Sequence, residues 1–325
     1  MIAHHQRNPQ GHQISIERLF SEIREHIPEG LDVRVVLSPR WSRGILSRLR
    51  NLIHARGESG EVNHIVGDVH YLAFGLPRNR LVLTIHDCAI LNRLSGWKLK
   101  LLRYFWFVGP MRRAAIVTTI SEVTKNELQK WVGSLADKVV VIPNCVRSEF
   151  TPDAKPFNKG NPVVLQVGTG WNKNVERVAE SLQGTTCRLE IVGTLSEEQR
   201  ATIMATEVPF CELGRLSDEE LVTAYRRCDF LVFASLYEGF GLPIIEAQAV
   251  GRPVITSNLS SMPEAAGDGA LFVDPLSVDS IREAVHLLLN SEERREELRQ
   301  KGYQNVAQYR PEAIALKYSE VYAEI

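Results

Sequence analysis

Short apolar runs and amphipathic segments alternate along nearly the whole chain. In the first half, runs rich in β-branched residues predict five strands, Asp32–Ser38, Val62–Gly67, Arg80–His86, Ala114–Ser121 and Lys138–Asn144. The stretches between them predict four amphipathic helices, Ile14–Ile27, Trp41–Arg56, Trp97–Arg113 and Glu122–Val132. Near-continuous apolar strands that alternate with helices of this length are typical of parallel sheets covered on both faces.

The second half repeats the pattern. It predicts strands at Val163–Val167, Arg188–Gly193, Asp229–Ser235, Pro253–Ser257 and Ala270–Asp274, with helices near 173–184, 196–205, 217–228, 243–250 and 277–290. Ten strands in 325 residues require two sheets. We therefore expect an α/β protein made of two doubly wound, Rossmann-like domains.

The boundary between the halves is visible in the composition. Thr151–Pro162 contains three prolines, one glycine and no apolar period, as a linker does. This predicts domains over residues 1–155 and 156–308, followed by a C-terminal helix over 309–325 that packs back towards the N-terminal domain. Ligands of open α/β sheets bind outside the carboxyl ends of the strands, so we expect the site in the cleft between the domains.

The beginning of the chain departs from this pattern. A doubly wound domain starts with an apolar strand, but only Ile2 and Ala3 precede a polar loop that contains Gly11. Either the first strand is very short or the chain begins late.

Composition and charge exclude several classes of protein. The chain is 44% apolar and 24% charged, which excludes disorder, and no run approaches the roughly 18 apolar residues of a membrane span. The polar Met1–Gln10 does not fit a secretory signal. Five cysteines without a C-x-x-C pair favour a reducing cytosol, so we expect a cytoplasmic protein without a nucleic-acid partner. Residues 1–150 carry a formal charge of +8 and residues 151–325 one of −9.

The segment Phe230–Gln248 carries the strongest chemical signal. A buried strand leads into a loop with Gly239 and Gly241, and Pro243 suits the first position of a following helix. Glycines and the free amides of a helix start can bind a phosphate group. Two carboxylates eight residues apart, Glu238 and Glu246, suit a ligand with several hydroxyl groups. The alternative is that Glu246 caps helix amides while Glu238 is a solvated loop charge.

A second junction, Val163–Asn174, also joins a strand to a helix. Gly168 and Gly170 form a turn, and Lys173 begins the helix, where a lysine beside free amides suits a diphosphate. The segment lacks the third glycine of G-x-G-x-x-G, which disfavours a nicotinamide dehydrogenase. By itself this junction fits an ordinary helix start equally well.

Two further features bear on chemistry. His86 follows the predicted strand Arg80–Ile85 directly, where a catalytic and a structural role are equally consistent with the sequence. The chain has no D-x-D, no G-x-x-x-x-G-K-[ST] and no G-x-S-x-G, so no metal site, P-loop or hydrolase nucleophile is expected.

The aromatic and basic segment Gly96–Arg113 allows two interpretations. Its composition suits a helix lying on an anionic membrane, and the positive charge of the first half agrees. The simpler interpretation, which we favour, is that its apolar face covers the sheet.

These motifs resemble those of retaining glycosyltransferases of family 4, which have the GT-B fold. Glu238 through Glu246 looks like the family's E-x7-E signature. The order of the neighbouring motifs also matches, with TISE at 119–122, VIPN at 141–144, the Gly168 loop, LGRLSDEEL at 213–221 and PEAAGDGALFVDP at 263–275. The resemblance spans about residues 80–325 and is looser before them.

The resemblance implies a role for each matching residue. Glu238 would contact the hydroxyls of the donor sugar, Glu246 the ribose hydroxyls, and Lys173 the diphosphate. His86 would lie near the sugar and the reacting centre, so that His86, Glu238 and Lys173 form the catalytic set. The full donor-binding set comprises Gly168, Thr169, Asn172, Lys173, Arg215, Leu216, Glu238, Gly239, Phe240, Gly241, Leu242 and Glu246, with Gly11 in an N-terminal phosphate loop.

One departure from the family concerns Thr169, because many relatives have an arginine there. Lys173 must then offset the diphosphate charge together with helix amides, or Arg215 or Arg252 must help.

The function that the resemblance implies is a metal-independent, retaining transfer of a hexose from a nucleotide-sugar, with UDP favoured and no cofactor. The expected acceptor is a hydroxyl of a glycan or lipid-linked glycan, with a possible peripheral contact to the cytoplasmic membrane face. Two alternatives stay open: a catalytically silent nucleotide-sugar-binding partner subunit, and a nucleotide-sugar epimerase on the same fold.

Overall fold

A computed structural model describes residues 1–8 and 15–325 of the chain. The chain forms two compact units. The first comprises Met1–Cys145 and Pro311–Ile325, and the second comprises Val146–Arg310. Each unit contains one six-stranded parallel sheet with helices around it.

The sheet of the first unit has the strand order β2-β1-β3-β4-β5-β6. Its strands are β1 (Ile2–Gln6), β2 (Val33–Leu37), β3 (Val62–Ile65), β4 (Leu81–Ile85), β5 (Ile116–Thr119) and β6 (Val139–Val141). The helices of this unit are α1 (Ser15–Glu25), α2 (Ile45–Gly57), α3 (Gly96–Leu102), α4 (Gly109–Arg113), α5 (Glu122–Val132) and α13 (Pro311–Ala323). A π-helical stretch, Arg103–Val108, joins α3 to α4. The last helix, α13, packs against α1 within this unit.

Strand β1 differs from the expectation of a very short first strand. It runs over five buried residues and pairs with both β2 and β3, with Ile2 opposite Val33 and Val62. The hydrophobic pattern missed it because His4 and His5 count as polar. Both rings are fully buried, and the His4 ring meets that of Phe20 edge-on at a centroid distance of 5.8 Å.

The sheet of the second unit has the order β12-β11-β10-β7-β8-β9. Its strands are β7 (Val163–Val167), β8 (Arg188–Val192), β9 (Phe210–Gly214), β10 (Phe230–Phe233), β11 (Val254–Ser257) and β12 (Leu271–Val273). Its helices are α6 (Val175–Ser181), α7 (Glu197–Ala205), α8 (Asp218–Arg227), α9 (Leu242–Val250), α10 (Met262–Ala266), α11 (Val278–Asn290) and α12 (Glu292–Val306). Numbered from its own first strand, this is the 3-2-1-4-5-6 order of a Rossmann domain.

Strand β9 was not predicted, although the other strands of this unit were. It lies at the sheet edge and pairs only with β8, with a register irregularity at Ile191 and Val192. Its residues are half-buried or exposed, so it lacks the continuous apolar run that marks the inner strands.

The segment Thr151–Pro162, predicted to be a linker, is packed within the second unit. Lys155 Nζ lies 2.8 Å from Asp229 Oδ1, and the Phe157 ring stacks on that of Phe230 at a centroid distance of 6.4 Å. The prolines therefore mark an irregular segment bound to the sheet rather than a free connection.

Helix α9 lies at the centre of the second unit. All residues from Ile244 to Val250 are buried, and the helix contacts α8, α10 and α12. A helix that is apolar on nearly every side is typical of a core position. Among the described residues, no helix is both long and apolar enough to cross a membrane.

A buried histidine network links α13 to the first sheet. The Tyr322 hydroxyl lies 2.9 Å from His4 Nε2 and 2.8 Å from His64 Nδ1, and His64 Nε2 lies 2.7 Å from Thr84 Oγ1. Burial lowers the pKa of both histidines well below 6.5, so both rings are neutral in the folded protein.

This network predicts loss of stability in mild acid. Below about pH 6.5 the unfolded chain binds protons at His4 and His64 that the folded chain does not. The free energy of unfolding should therefore fall with decreasing pH, by about 1.4 kcal/mol per pH unit for each histidine. Urea titrations between pH 8 and pH 5 measure this slope. His64→Gln should make this slope smaller by the contribution of one histidine, and the exposed Ser134→Ala should leave it unchanged. A His64→Gln slope equal to that of the wild type would contradict the assignment.

Candidate functional site

The strand order of the second sheet reverses between β7 and β10, which are neighbours in space. Each strand ends in a predicted ligand loop: β7 leads into Gly168, and β10 leads into the segment from Ser235 to Gly241. Rossmann domains bind ligands at such a reversal, outside the carboxyl ends of the strands. The two segments singled out by the sequence therefore meet at this position.

The loop after β7 extends two residues further than predicted. Gly168 has φ +91°, and a Cβ there would lie 2.8 Å from Lys173 Cε. Trp171–Lys173 forms a 3₁₀ turn, Asn174 is left-handed at φ 58°, and α6 begins only at Val175. The prediction that Lys173 begins the helix is wrong by two residues, because the left-handed Asn174 interrupts the helical path.

Lys173 and Glu238 form an ion pair across the two loops. Lys173 Nζ lies 2.7 Å from Glu238 Oε1, and both side chains are largely buried, with exposed fractions of 20% and 16%. Asn172 Nδ2 donates to the same carboxylate oxygen at 3.1 Å. The ammonium also lies 4.6 Å from the centroid of the Phe233 ring. The Glu238 carboxylate is thus fixed in position by Lys173 and Asn172 and is not a solvated loop charge.

Backbone contacts fix the two loops to each other. The Asn172 amide also donates to the Tyr237 carbonyl at 2.8 Å, and the Leu236 N–H donates to the Asn172 carbonyl at 2.8 Å. Gln166 Nε2 donates to the Lys173 carbonyl at 3.0 Å from within β7. The position of the ion pair is therefore set by the sheet itself.

Two serines that the sequence did not single out support the Glu238 backbone. The hydroxyls of Ser260 and Ser261 donate to the Glu238 carbonyl at 2.7 and 2.9 Å. They follow β11, the next strand of the sheet. Their place after a strand end was the only available signal, and serines there are too common to be diagnostic.

Glu246 is oriented by a buried tyrosine. It is the fifth residue of α9, which begins at Leu242, and so lies just beyond the first turn of the helix. The Tyr225 hydroxyl donates to Glu246 Oε2 at 2.7 Å, so the carboxylate does not serve as a helix cap. Burial raises the pKa of Glu246, while the charges of Arg147 and Lys173 oppose this rise.

The loop before α9 opens the helix with a glycine. Gly241 has φ +116°, which favours glycine, and Pro243 occupies the second helical position rather than the predicted first. The N–H groups of the first helical turn, which begins at Leu242, lack partners within the helix and attract anions. Phe240 is buried and its ring centroid lies 5.5 Å from that of Tyr309, so its side chain anchors the loop from Gly239 onward.

The other predicted residues of this unit occupy different places. Thr169 donates through its hydroxyl to the Thr194 carbonyl at 2.8 Å, which binds the β7 loop to the β8 loop. Arg215 and Leu216 follow β9, where Arg215 is exposed. Arg252, considered as a diphosphate ligand, is buried and donates to Asp153 Oδ2 at 2.6 Å, so it serves the fold.

His86 lies in the first unit, directly after β4 as predicted. It is buried, and its Nε2–H donates to the Val66 carbonyl at 3.0 Å. Burial lowers the pKa of His86, so the ring is neutral near pH 7. Gly11 lies outside the described residues. Within the described part of the chain, no group of three or more His, Cys, Asp or Glu side chains could hold a metal ion.

The serine contacts generate a stability prediction. Ser260→Ala combined with Ser261→Ala removes two hydrogen bonds to the Glu238 carbonyl, so the free energy of unfolding should fall by about 1–2 kcal/mol. Urea unfolding measures this loss. The exposed Ser134→Ala in the first unit is the control and should leave stability unchanged. A double variant as stable as the wild type would show that these bonds do not hold the loop.

Two family profiles match this chain, one over most of each unit. A family profile described as Glycosyltransferase Family 4 matches residues 3–150, and one described as Glycosyl transferases group 1 matches residues 147–305. O-antigen chain mannosyltransferase B of Escherichia coli is 27% identical over 272 residues, which cover 75% of this chain and 70% of the relative.

Solved structures agree with the fold. Anabaena Alr3699/HepE in complex with UDP and glucose has a TM-score of 0.79 at 16% identity, and each chain is covered completely. WaaG, a glycosyltransferase involved in lipopolysaccharide biosynthesis, has a TM-score of 0.71 at 17% identity over 99% of both chains. With a family profile over nearly all of each unit, the chain belongs to the glycosyltransferases of the GT-B fold.

Proposed function

We propose that this glycosyltransferase is a metal-independent, retaining enzyme that moves a hexose from a nucleotide-sugar to a hydroxyl of a glycan or lipid-linked glycan. The observation that carries the proposal is the Lys173–Glu238 ion pair, 2.7 Å long, at the strand-order reversal of the second sheet. A cation for phosphate and a carboxylate for sugar hydroxyls lie side by side there.

The two partners are suited to adjoining parts of one ligand. Lys173 and the amides that open α9 would bind the diphosphate, since both favour negative charge. Glu238 and the backbone of Gly239–Leu242 would bind the sugar, because a carboxylate accepts hydrogen bonds from neighbouring hydroxyls. Glu246 would accept from the ribose hydroxyls, and the backbone at Arg215–Leu216 would contact the base.

The ion pair also suggests how the donor enters. An arriving diphosphate competes with Glu238 for the Lys173 ammonium. When the phosphate takes over the ammonium, a Glu238 oxygen becomes available to the hydroxyls of the attached sugar. Asn172 Nδ2, bound to the same oxygen and to the Tyr237 carbonyl, keeps Glu238 in place during this exchange.

Transfer requires stabilisation of the leaving nucleoside diphosphate. The bond between the sugar's anomeric carbon and the phosphate oxygen breaks, and the acceptor oxygen bonds to that carbon on the same face. The acceptor's proton passes to the departing phosphate, so no protein base is assigned. Lys173 and the α9 amides would supply a fixed positive field where negative charge develops. His86, which is neutral, keeps the catalytic role that the resemblance implies.

Two observations bear on the donor. The E. coli relative is named for mannose, and the HepE structure contains UDP and glucose. We propose a hexose with UDP as the carrier, as the family resemblance favours, and treat GDP as the first competitor. O-antigen and lipopolysaccharide enzymes among the relatives and neighbours support a glycan or lipid-linked acceptor in polysaccharide biosynthesis.

A lipid-linked acceptor would bring the enzyme to the inner face of the cell membrane, which is where we propose that this cytoplasmic protein acts. In the segment Gly96–Arg113, Phe107 and Met111 are buried against the unit, as covering the sheet requires. Trp97, Tyr104 and Phe105 are exposed beside Lys98, Lys100 and Arg103. Covering of the sheet accounts for the buried side of this segment, and we propose the membrane contact for its exposed side.

Nucleotide binding is the first test. With EDTA present, one of UDP, GDP, ADP or TDP at 100 times its Kd should raise the stability of the wild type by about 2.7 kcal/mol. Glu246→Gln should reduce this gain strongly because the ribose loses its carboxylate. Thermal denaturation with each nucleotide gives the answer.

The matched control is Glu190→Gln, a buried carboxylate of the same unit with an exposed fraction of 2%. It pairs with Arg188 and Arg227, so its loss should lower stability without changing the nucleotide effect. If none of the four nucleotides stabilised the wild type, the donor site would be abandoned.

Stereochemistry tests the retaining mechanism. With an α-linked donor sugar, the new glycosidic bond should also be α, because leaving group and acceptor share one face. Anomeric coupling constants from NMR of the product report the configuration, and omission of acceptor is the control. A β-linked product would contradict retention, and conversion of the donor without acceptor would indicate the epimerase.

A further inference from the structure

Helix α2 presents its apolar face to solvent. Ile45, Leu46, Leu49 and Ile53 are exposed by 83%, 74%, 52% and 64%. At about 100° per residue these four side chains fall within an arc of about 100° on the helix surface. These four side chains form an apolar stripe along the helix. A surface helix of a folded domain usually turns such a stripe towards the core, whereas α2 turns it towards solvent.

The opposite side of α2 is fixed to the unit by a polar contact. Asn51 and Ala55 are the buried residues of the helix. The Asn51 amide donates to the Tyr71 hydroxyl at 2.9 Å and to the Arg40 carbonyl at 2.8 Å. These bonds set the rotation of the helix and keep the apolar stripe outward.

The charge around the stripe has one sign. Residues 33–57 contain six arginines and no acidic residue. Arg40, Arg43, Arg50 and Arg56 are exposed, and none of them has an ion-pair partner among the described residues. Arg40 and Arg43 precede the positive N-terminal end of the helix dipole, and the first turn holds no acidic residue, so neither arginine serves helix stability.

A cationic cavity adjoins the start of α2. It has a volume of about 400 Å³, and its described lining includes Arg40, Arg43, Trp41 and Ser47 without an acidic residue. The Arg43 guanidinium lies 5.7 Å from the centroid of the Trp41 ring. Basic groups beside an exposed tryptophan suit phosphate groups next to an apolar layer.

The stripe continues towards the exposed aromatic side chains after α3. The Arg48 guanidinium lies 4.7 Å from the centroid of the Trp106 ring, which joins α2 to the π-helical stretch. Phe105 and Tyr104 in that stretch are exposed by 46% and 48%. The two segments therefore form one apolar and basic surface.

We propose that the exposed face of α2, defined by Ile45, Leu46, Leu49 and Ile53 with its arginine border, docks the enzyme on anionic phospholipid. The inference deepens the proposed function by supplying the surface on which a lipid-linked acceptor would be met. A second copy of this chain is a poor occupant, because a two-fold interface would place the same arginines opposite each other.

Vesicle flotation of the full-length protein tests the proposal. Vesicles of phosphatidylcholine with a third phosphatidylglycerol should bind the protein, and pure phosphatidylcholine vesicles should not. Arg50→Glu should weaken binding to the anionic vesicles at least about fivefold, since each basic group near such a surface contributes about that factor. Ile53→Ser should also weaken binding several-fold.

Met204→Ser is the matched control for Ile53→Ser. Met204 lies on α7 in the second unit and has an exposed fraction of 63%, against 64% for Ile53. This variant should bind vesicles like the wild type. Lys98→Glu on α3 should have a smaller effect than Arg50→Glu.

Three outcomes would overturn the proposal. They are absence of binding to anionic vesicles, wild-type binding by the Arg50→Glu and Ile53→Ser variants, and a dimer by light scattering that Ile53→Ser dissociates. Nucleotide stabilisation measured on the same variants separates this result from the proposed function. Lost vesicle binding with an intact nucleotide effect supports the docking surface, while a missing nucleotide effect in the wild type counts against the transferase.

Discussion

The ion pair between Lys173 and Glu238 is the contact on which the proposed site depends. It exists because β7 and β10, which are three strands apart in chain order, are neighbours at the centre of the sheet, where the strand order reverses. Their loops are joined by Asn172 and by backbone hydrogen bonds, so opposite charges meet at a fixed place. One partner favours phosphate and the other favours hydroxyls, which is the division of labour that a nucleotide-sugar requires.

Burial sets the properties of the second carboxylate. Glu246 lies on α9, the central helix of its unit, and is 8% exposed. The Tyr225 hydroxyl satisfies one of its oxygens, and the nearby charges of Arg147 and Lys173 favour its ionised form against the effect of burial on its pKa. A carboxylate supported in this way is oriented before any ligand arrives, which lowers the entropic cost of binding.

Much of this architecture could be predicted from the sequence, because parallel strands buried on both faces leave long apolar runs. The errors have physical causes. Strand β1 contains buried histidines that a polarity pattern excludes, and β9 is a half-exposed edge strand. The start of α6 is displaced by the left-handed Asn174, which no spacing reveals. For α2 the helix was predicted, but periodicity alone cannot tell which face of a helix is buried.

The competition for Lys173 offers the most direct measurement. Calorimetry on Glu238→Gln with a nucleoside diphosphate and with the matching nucleotide-sugar separates the two roles of the pair. The account predicts that the diphosphate binds at least as tightly as to the wild type, because Lys173 is released, while any preference for the sugar-bearing ligand is lost. Equal weakening of both ligands, or no change in either, would contradict the assignment of Lys173 to phosphate and Glu238 to sugar.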